Sequence, residues 1–156
     1  MGWRLSGKLK EKRLALLKLK DILFFLENKI CVLGTPLIKA FEDVSKENVG
    51  GVWTCLFDSS SRIMRDRSLD AGAAWKAALA EVEEKLPLDR NEAELIADLG
   101  DLLGKSDKEM QHAVLNMEKE KISGMELRAR ETAETTGKLY RNLGALVGAA
   151  VVILLI

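Results

Sequence analysis

The sequence GKLKEKRLALLKLKDILFFLENKICVL, residues 7–33, decides the fold class. Its apolar residues recur at intervals of three and four, which places them along one face of a helix. This leucine stripe consists of Leu9, Leu16, Leu19, Leu23, Leu26, Ile30 and Leu33. Gly34 follows, and glycine often ends a helix. The stretch predicts one long helix over 7–33, whose stripe is interrupted by Lys12 and buried from Leu16 onward.

The rest of the chain carries the same helical signal. Ala, Leu, Glu and Lys dominate the composition, and these residues lose little side-chain freedom in a helix. Pro36 follows a predicted cap at Thr35 and suits a first helical position, whereas Pro87 stops the helix before it. Starts and stops of this kind predict five further helices over 35–48, 51–66, 70–85, 89–103 and 106–136.

Two capping boxes open the last two of these helices. Asp89 is followed three residues later by Glu92, and Ser106 by Glu109. In such a box the short side chain accepts a hydrogen bond from the third residue's amide, and the glutamate accepts one in return. We interpret both boxes as determinants of the fold.

The predicted core combines the apolar faces of these helices. Cys31 and Cys55 are interpreted as small core residues in a reduced, cytoplasmic setting. The remaining predicted core positions are Leu37, Ile38, Phe41, Val44, Val52, Trp53, Leu56, Phe57, Ile63, Met64, Ala71, Ala74, Trp75, Ala78, Leu79, Val82, Leu86, Leu95, Ile96, Leu99, Leu102, Leu103, Met110, Ala113, Val114, Met117, Met125 and Ala129, with Ser60 in a gap.

Charge is segregated along the chain although the formal net charge is zero. Within residues 1–20 the only acid is Glu11, and the cations are Arg4, Lys8, Lys10, Lys12, Arg13, Lys18 and Lys20. We interpret residues 1–20 as a basic juxtamembrane arm of the first helix. Such an arm is attracted to an anionic membrane face or an acidic partner, and the alternative is an ordinary solvated helix face.

The chain closes with LGALVGAAVVILLI, residues 143–156, which contain no charged side chain. Fourteen helical residues reach about 21 Å, less than the ~30 Å hydrocarbon core, but snorkelling cations and local thinning of the bilayer narrow the gap. We predict a membrane anchor formed by Leu143, Leu146, Val147, Val151, Val152, Ile153, Leu154, Leu155 and Ile156. The alternative is a short buried core helix.

Interfacial residues flank this segment on one side only. Lys138, Tyr140 and Arg141 precede it, and we assign Trp3 and Arg4 to the same interface. Cations stay on the cytoplasmic side, so the bundle is predicted to lie in the cytoplasm. The architecture is then all-α: a six-helix antiparallel bundle over 21–136, followed by a stalk end and C-terminal transmembrane helix over 137–156.

Small residues raise the possibility of helix packing inside the membrane. Gly144 and Gly148 are four residues apart, a spacing that lets two helices approach closely. Small residues are also common in membrane helices that pack against nothing, so both interpretations stay open.

The usual signatures of catalysis and ligand binding are missing. The lone His112 and two distant cysteines do not form a zinc site, so we predict no metal. A phosphate loop ending at Lys105-Ser106 would need glycine where Leu99 stands. We therefore expect no cofactor and no small-molecule substrate.

Acid–base chemistry and nucleic-acid binding are equally unsupported. Asp98 and Asp101 fall on the predicted solvated face of their helix, away from any burial that would tune a carboxyl group. The basic arm lacks interleaved aromatic residues, which single-stranded nucleic acids require for stacking. We predict no catalytic residue, and hence a non-enzymatic protein that does not bind nucleic acid.

Several short motifs, in their order and spacing, resemble the stage III sporulation protein AB family over about residues 20–156. The motifs are Leu26-Glu27, Ile30, Thr35-Pro36-Leu37, Ala40-Phe41, Leu86-Pro87-Leu88, Leu99-Gly100, Leu103-Gly104, Ser106-Asp107, Gln111 and the run Lys138-Leu139-Tyr140-Arg141-Asn142-Leu143-Gly144. Family members usually have a transmembrane helix before the basic arm, and here Met1-Gly2-Trp3 stands before Arg4. Whether the chain crosses the membrane once or twice, the bundle is predicted to lie on the same, cytoplasmic side.

The resemblance implies a membrane component of the sporulation channel between mother cell and forespore. The soluble region of such proteins resembles the F-domain of type II secretion platforms, a six-helix bundle. The implied partners are the stage III sporulation AA-type ATPase, other channel membrane proteins and membrane lipid. The implied location is the cell membrane of a spore-forming bacterium, with the bundle on the mother-cell side. The alternative is a generic tail-anchored adaptor that dimerises through its leucine stripe.

Overall fold

The computed structural model describes residues 2–105 and 108–155, except for the side chains at 3, 5, 6, 105, 108–111 and 114. Within these ranges the chain is all-α and has no strand, as the sequence predicts. Six helices form an antiparallel bundle: α1 Gly2–Glu27, α2 Leu37–Lys46, α3 Thr54–Arg67, α4 Ala71–Val82, α5 Arg90–Lys105 and α6 Lys108–Leu155. Short turns Gly51–Trp53 and Glu83–Lys85 precede α3 and follow α4.

The first helix ends in a π-helical turn, Asn28–Val32, which the sequence pattern did not reveal. The wider turn adds a residue to the ring, so the amide of Leu33 donates to the carbonyl of Asn28 at 3.0 Å. The added residue rotates the last residue of the leucine stripe away from the face that the earlier leucines occupy. Ile30 is therefore buried but Leu33 is 64% exposed, and its predicted burial is wrong. Gly34, at a φ of +67°, ends the segment as expected.

The start of α2 differs from the prediction by one step. Pro36 adopts an extended ψ of 146° and is itself the cap, so the helix begins at Leu37 and no side chain caps it. The predicted cap at Thr35 is wrong: the extended backbone of Pro36 keeps Pro36 outside the helix, so Pro36 and not Thr35 occupies the cap position. The other end agrees with the sequence, since Asn48 takes a positive φ of 55° just after α2.

Three aromatic rings form the centre of the core. Phe41, Phe57 and Trp75 lie with ring centroids 5.1 to 5.5 Å apart, in edge-on or tilted arrangements. The indole of Trp75 donates to the carbonyl of Ile96 at 2.7 Å, which joins α4 to α5. Gly100 makes this approach possible, because an added Cβ there would overlap the Trp75 ring.

Helices α1 and α6 run antiparallel and are joined by ion pairs along their length. Arg13 contacts Glu126 at 2.7 Å, near the middle of the pair. At the other end Glu27 accepts from Lys119, and its second oxygen lies 2.7 Å from Nδ1 of His112. This pairing positions the C-terminal part of α6, because α6 continues past the start of α1 without a break.

The buried face of α6 differs from the predicted one. Ala113 is exposed and Met117 is 45% exposed, whereas Leu115 and Ile122 are buried beside Met125 and Ala129. The prediction was wrong because Glu118 and Lys119, 4% and 7% exposed, interrupt the apolar pattern of the true face. The predicted core residues Met110 and Val114 have side chains outside the described part.

Other core predictions need smaller corrections. Cys31 and Cys55 are only half-buried, although both pack against the core. Val52 was predicted to lie in the first turn of α3. It belongs instead to the separate turn Gly51–Trp53 before α3, and it is 50% exposed. Asp98 is solvated as predicted, but the half-buried Asp101 is paired with Lys76 at 2.5 Å.

The first capping box forms as predicted. The amide of Glu92 donates to Asp89, and the amide of Asp89 donates to Glu92, both at 3.0 Å. In the second box, Ser106 and the side chain of Glu109 lie outside the described part of the chain, as does Asp107.

Candidate membrane anchor

The apolar end of α6 lies entirely outside the bundle. All residues from 137 to 155 are exposed, and Leu154 and Leu155 expose 85% and 82% of their surface. Within Leu115–Leu155 an 18-residue window has a mean hydropathy of 1.5 and contains no buried residue. The short apolar run is therefore not a core helix packed against the other five. The last predicted anchor residue, Ile156, lies outside the described part of the chain.

A polar stalk separates this apolar end from the bundle. Ala129 is the last buried residue of α6, and Leu143 follows it by about 21 Å at 1.5 Å per residue. Within the stalk Arg130 donates to Glu134 at 3.0 Å, and Thr132 donates to the carbonyl of Arg128. The hydrogen bond from Arg130 lowers the pKa of Glu134 below its usual range. These local contacts stabilise the exposed face of the stalk helix.

The predicted interfacial residues lie near the junction of bundle and apolar end. Lys138, Tyr140 and Arg141 are exposed on α6 just before the apolar run, and Arg4 is exposed on α1. Because α1 is antiparallel to α6 and Arg13 contacts Glu126, Arg4 is level with about residue 135 of α6. The basic arm and the apolar run therefore belong to the same end of the molecule. The side chain of Trp3 lies outside the described part.

Gly144 and Gly148, the two glycines predicted to pack inside the membrane, have free space around them. A Cβ added at Gly144 or Gly148 would meet no atom within 4 Å. The single chain brings nothing against either residue. Their packing role stays a prediction.

Comparison with known proteins identifies the family. The sequence profile of stage III sporulation protein AB matches residues 1–156, which is the whole chain. The chain belongs to the stage III sporulation protein AB family. A relative from Bacillus subtilis (strain 168), the stage III sporulation protein AB of that organism, is 27% identical over 154 residues, or 99% of this chain and 90% of the relative.

A solved structure of stage III sporulation protein AB has the same fold. It superposes with a TM-score of 0.71 at 25% identity, and the match covers 80% of this chain and 97% of the solved one. Family membership makes this a sporulation protein, in a family that is not a known enzyme family. Together with the exposed apolar helix it indicates membrane association and interaction with other sporulation proteins.

The described side chains of this family member offer no metal centre. Across residues 2–105 and 108–155, as far as their side chains are described, no three His, Cys, Asp or Glu residues converge. His112 is 58% exposed and contacts Glu27, as expected for a polar surface residue. Sequence reasoning missed the two polar residues Glu118 and Lys119 on the buried face, because their charge predicts exposure.

Proposed function

We propose that this protein is a non-enzymatic platform subunit of the sporulation channel between mother cell and forespore. One observation carries the proposal: α6 passes without interruption from the packed bundle into a wholly exposed apolar end. In water that end would leave a large apolar surface uncovered, at a cost of roughly 25 cal/mol per Å². A lipid environment removes the cost and fixes the bundle at the membrane surface.

The anchor comprises residues 143–156, with lipid as its immediate partner. Lys138, Tyr140 and Arg141 serve as its cytoplasmic border, and Arg4 and Trp3 approach the same headgroup layer. The positive-inside preference assigns the bundle to the cytoplasm. The resemblance to the sporulation family is what implies the mother-cell side. This divides the chain into a basic arm over 1–20, the bundle over 21–136 and the stalk end with anchor over 137–156.

The bundle acts by structural coupling. A membrane-fixed, F-domain-like bundle presents helical surfaces to a cytoplasmic secretion ATPase, the stage III sporulation AA-type protein, and to other channel proteins. The tight core of Phe41, Phe57 and Trp75 supports a body that transmits a force as one unit. No catalytic residue, cofactor or small-molecule substrate enters this role.

A rival role as an adaptor dimerising through the leucine stripe receives no support from the packing. Leu16, Leu19, Leu23 and Leu26 are fully buried in the bundle, and Ile30 is 3% exposed. A second copy would have to displace α6, which packs along α1, to reach them.

The proposal is tested by purifying the tagged full-length chain from membranes of sporulating cells. We expect the AA-type ATPase and at least one other channel membrane protein to co-purify. Recovery of neither would contradict the platform role. A gene for such an ATPase immediately upstream, with small membrane proteins downstream, would support it independently.

A further inference from the structure

We propose that a groove beside α1 is the docking site for an acidic amphipathic helix of a partner protein. The groove has a volume of about 840 Å³ and lies between the first half of α1, the turn before α3 and the connection from α4 to α5. This inference rests on the proposed platform function and names the chemistry of one partner contact.

The walls of the groove are tied together before any partner arrives. The indole of Trp53 donates to the carbonyl of Ala15 at 2.8 Å and joins the turn before α3 to α1. Lys12 lies 2.9 Å from both Asp89 and Glu92 and joins α1 to the start of α5. A preformed site of this kind loses little conformational entropy when a ligand binds.

The floor of the groove is apolar and open to water. Leu14 and Val52 are 55% and 50% exposed, and they lie among the partly buried Leu9, Pro87 and Leu88. Leu14 belongs to α1 and Val52 to the turn before α3, so an apolar helix face that fills the groove would contact both elements. Helix-in-groove recognition uses such anchors at spacings of three or four residues.

The charge around the groove favours an acidic ligand. Lys8 and Lys18 line it without an ion pair among the described residues, and the aliphatic stem of Lys18 lies against Gly51. Lys10 and Lys20 belong to the same helix half and also have no described ion pair, but neither lines the groove. Glu11, Glu84 and Lys85 also line the groove, so the rim is mixed and suits spaced carboxylates better than a uniform polyanion.

Distance argues against lipid as the occupant. Arg13, in the middle of the groove's α1 wall, contacts Glu126, and Leu143 lies 17 residues further along α6. This separation is about 25 Å along the helix axis, well beyond the headgroup layer when α6 stands upright. A protein segment reaches the groove from the cytoplasm, whereas a lipid headgroup does not.

The test uses the full-length chain in phosphatidylcholine nanodiscs and a fluorescent 18-residue amphipathic helix with leucines on one face and glutamates beside them. We expect saturable binding, weakened at least tenfold by K8E/K18E and about fivefold by L14S. K10E/K20E makes the same charge change outside the groove, and L127S removes a leucine that is 52% exposed on α6. These two controls are expected to change the affinity less than threefold.

Three results would overturn the proposal. One is equal loss of binding in K8E/K18E and K10E/K20E, which would indicate unspecific attraction to the arm. Another is equally tight binding of the same helix with lysines in place of glutamates. The third comes from a photo-crosslinker at Leu14 in nanodiscs containing phosphatidylglycerol: adducts to lipid or to a second copy of the chain would name a different occupant. None of these three results would contradict membrane anchoring or co-purification with the ATPase, which are tested separately.

Discussion

At the residue scale, single side chains determine how closely the helices approach. Gly100 on α5 lies directly against the Trp75 ring, and Gly72 on α4 lies against Asp101. Asp89 connects two helices, since it caps α5 and also pairs with Lys12 of α1. The stability of the bundle is therefore sensitive at a few positions whose side chains are small or polar.

Replacing Gly100 by alanine should destabilise the bundle by about 1–3 kcal/mol, because the new methyl group overpacks the site against Trp75. Gly124→Ala is the matched control, because an added Cβ on α6 meets nothing within 4 Å. That change should stabilise the protein by up to about 1 kcal/mol through helix propensity. Urea unfolding followed by tryptophan fluorescence measures both. Equal effects of the two substitutions would contradict the close approach.

Asp89→Asn isolates the charge of the capping residue, because asparagine caps a helix as well as aspartate does. The amide of Glu92 and then the ammonium of Lys12 lower the pKa of Asp89. The charge therefore stabilises the fold fully above the unfolded pKa of about 3.9, and this is lost as pH falls through the lower folded pKa. We expect D89N to be about 0.5 kcal/mol less stable at neutral pH, as for an exposed ion pair.

This difference between wild type and D89N should shrink as the pH of the unfolding experiment falls below about 4. D21N, which alters an exposed acid of α1 with no described ion pair, controls for net charge. A wild-type to D89N difference that grows toward low pH would contradict the assignment.

The residue scale also separates what sequence could predict from what it could not. The box of Asp89 and Glu92 follows from a local spacing and forms as predicted. The contact of Gly100 with Trp75 joins residues 25 positions apart, so no local pattern reveals it. The groove beside α1 escaped prediction for the same reason, because its walls come from three separate segments.

At the scale of elements, the pairing of α1 with α6 orients the whole molecule. Glu27 and Lys119 are paired between these helices, with the Lys119 ammonium also 4.1 Å from the centre of the Phe24 ring. Periodicity predicted that both helices exist, but not their lengths, since α6 continues to Leu155 instead of ending near residue 136. It failed for the register of α6, since Glu118 and Lys119 look solvated in sequence and are buried only because partners meet them.

Lys119→Met should therefore destabilise the protein by about 3 kcal/mol, because the Glu27 carboxylate loses its buried cation and keeps only the exposed His112 beside it. Lys46→Met removes a lysine from an exposed pair with Glu42 and should cost about 0.5 kcal/mol or less. Thermal unfolding of both full-length variants in mild detergent compares them. Similar midpoints would mean that the α1–α6 pair contributes no more than a surface contact.

At the scale of the whole molecule, the packed bundle and the bare apolar helix end form one continuous body. The bundle buries two tryptophans completely, Trp53 and Trp75, whereas residues 137–155 are all exposed. Sequence predicted this division because a charge-free terminal run is recognisable without tertiary information. Helix α6 joins the two parts and fixes the distance between the membrane and the groove.

Membrane anchoring by residues 143–156 is the central claim, and alkaline carbonate extraction of membranes tests it most directly. The variant V147D/V151D places two carboxylates near the middle of the run, each making insertion about 3 kcal/mol less favourable. The control variant T132D/T136D also adds two carboxylates four residues apart, but in the stalk. We expect wild type and the stalk variant to stay in the membrane pellet and V147D/V151D to move to the supernatant with its helical content intact. A wild-type chain that is released by carbonate and is monomeric without detergent would contradict the anchor.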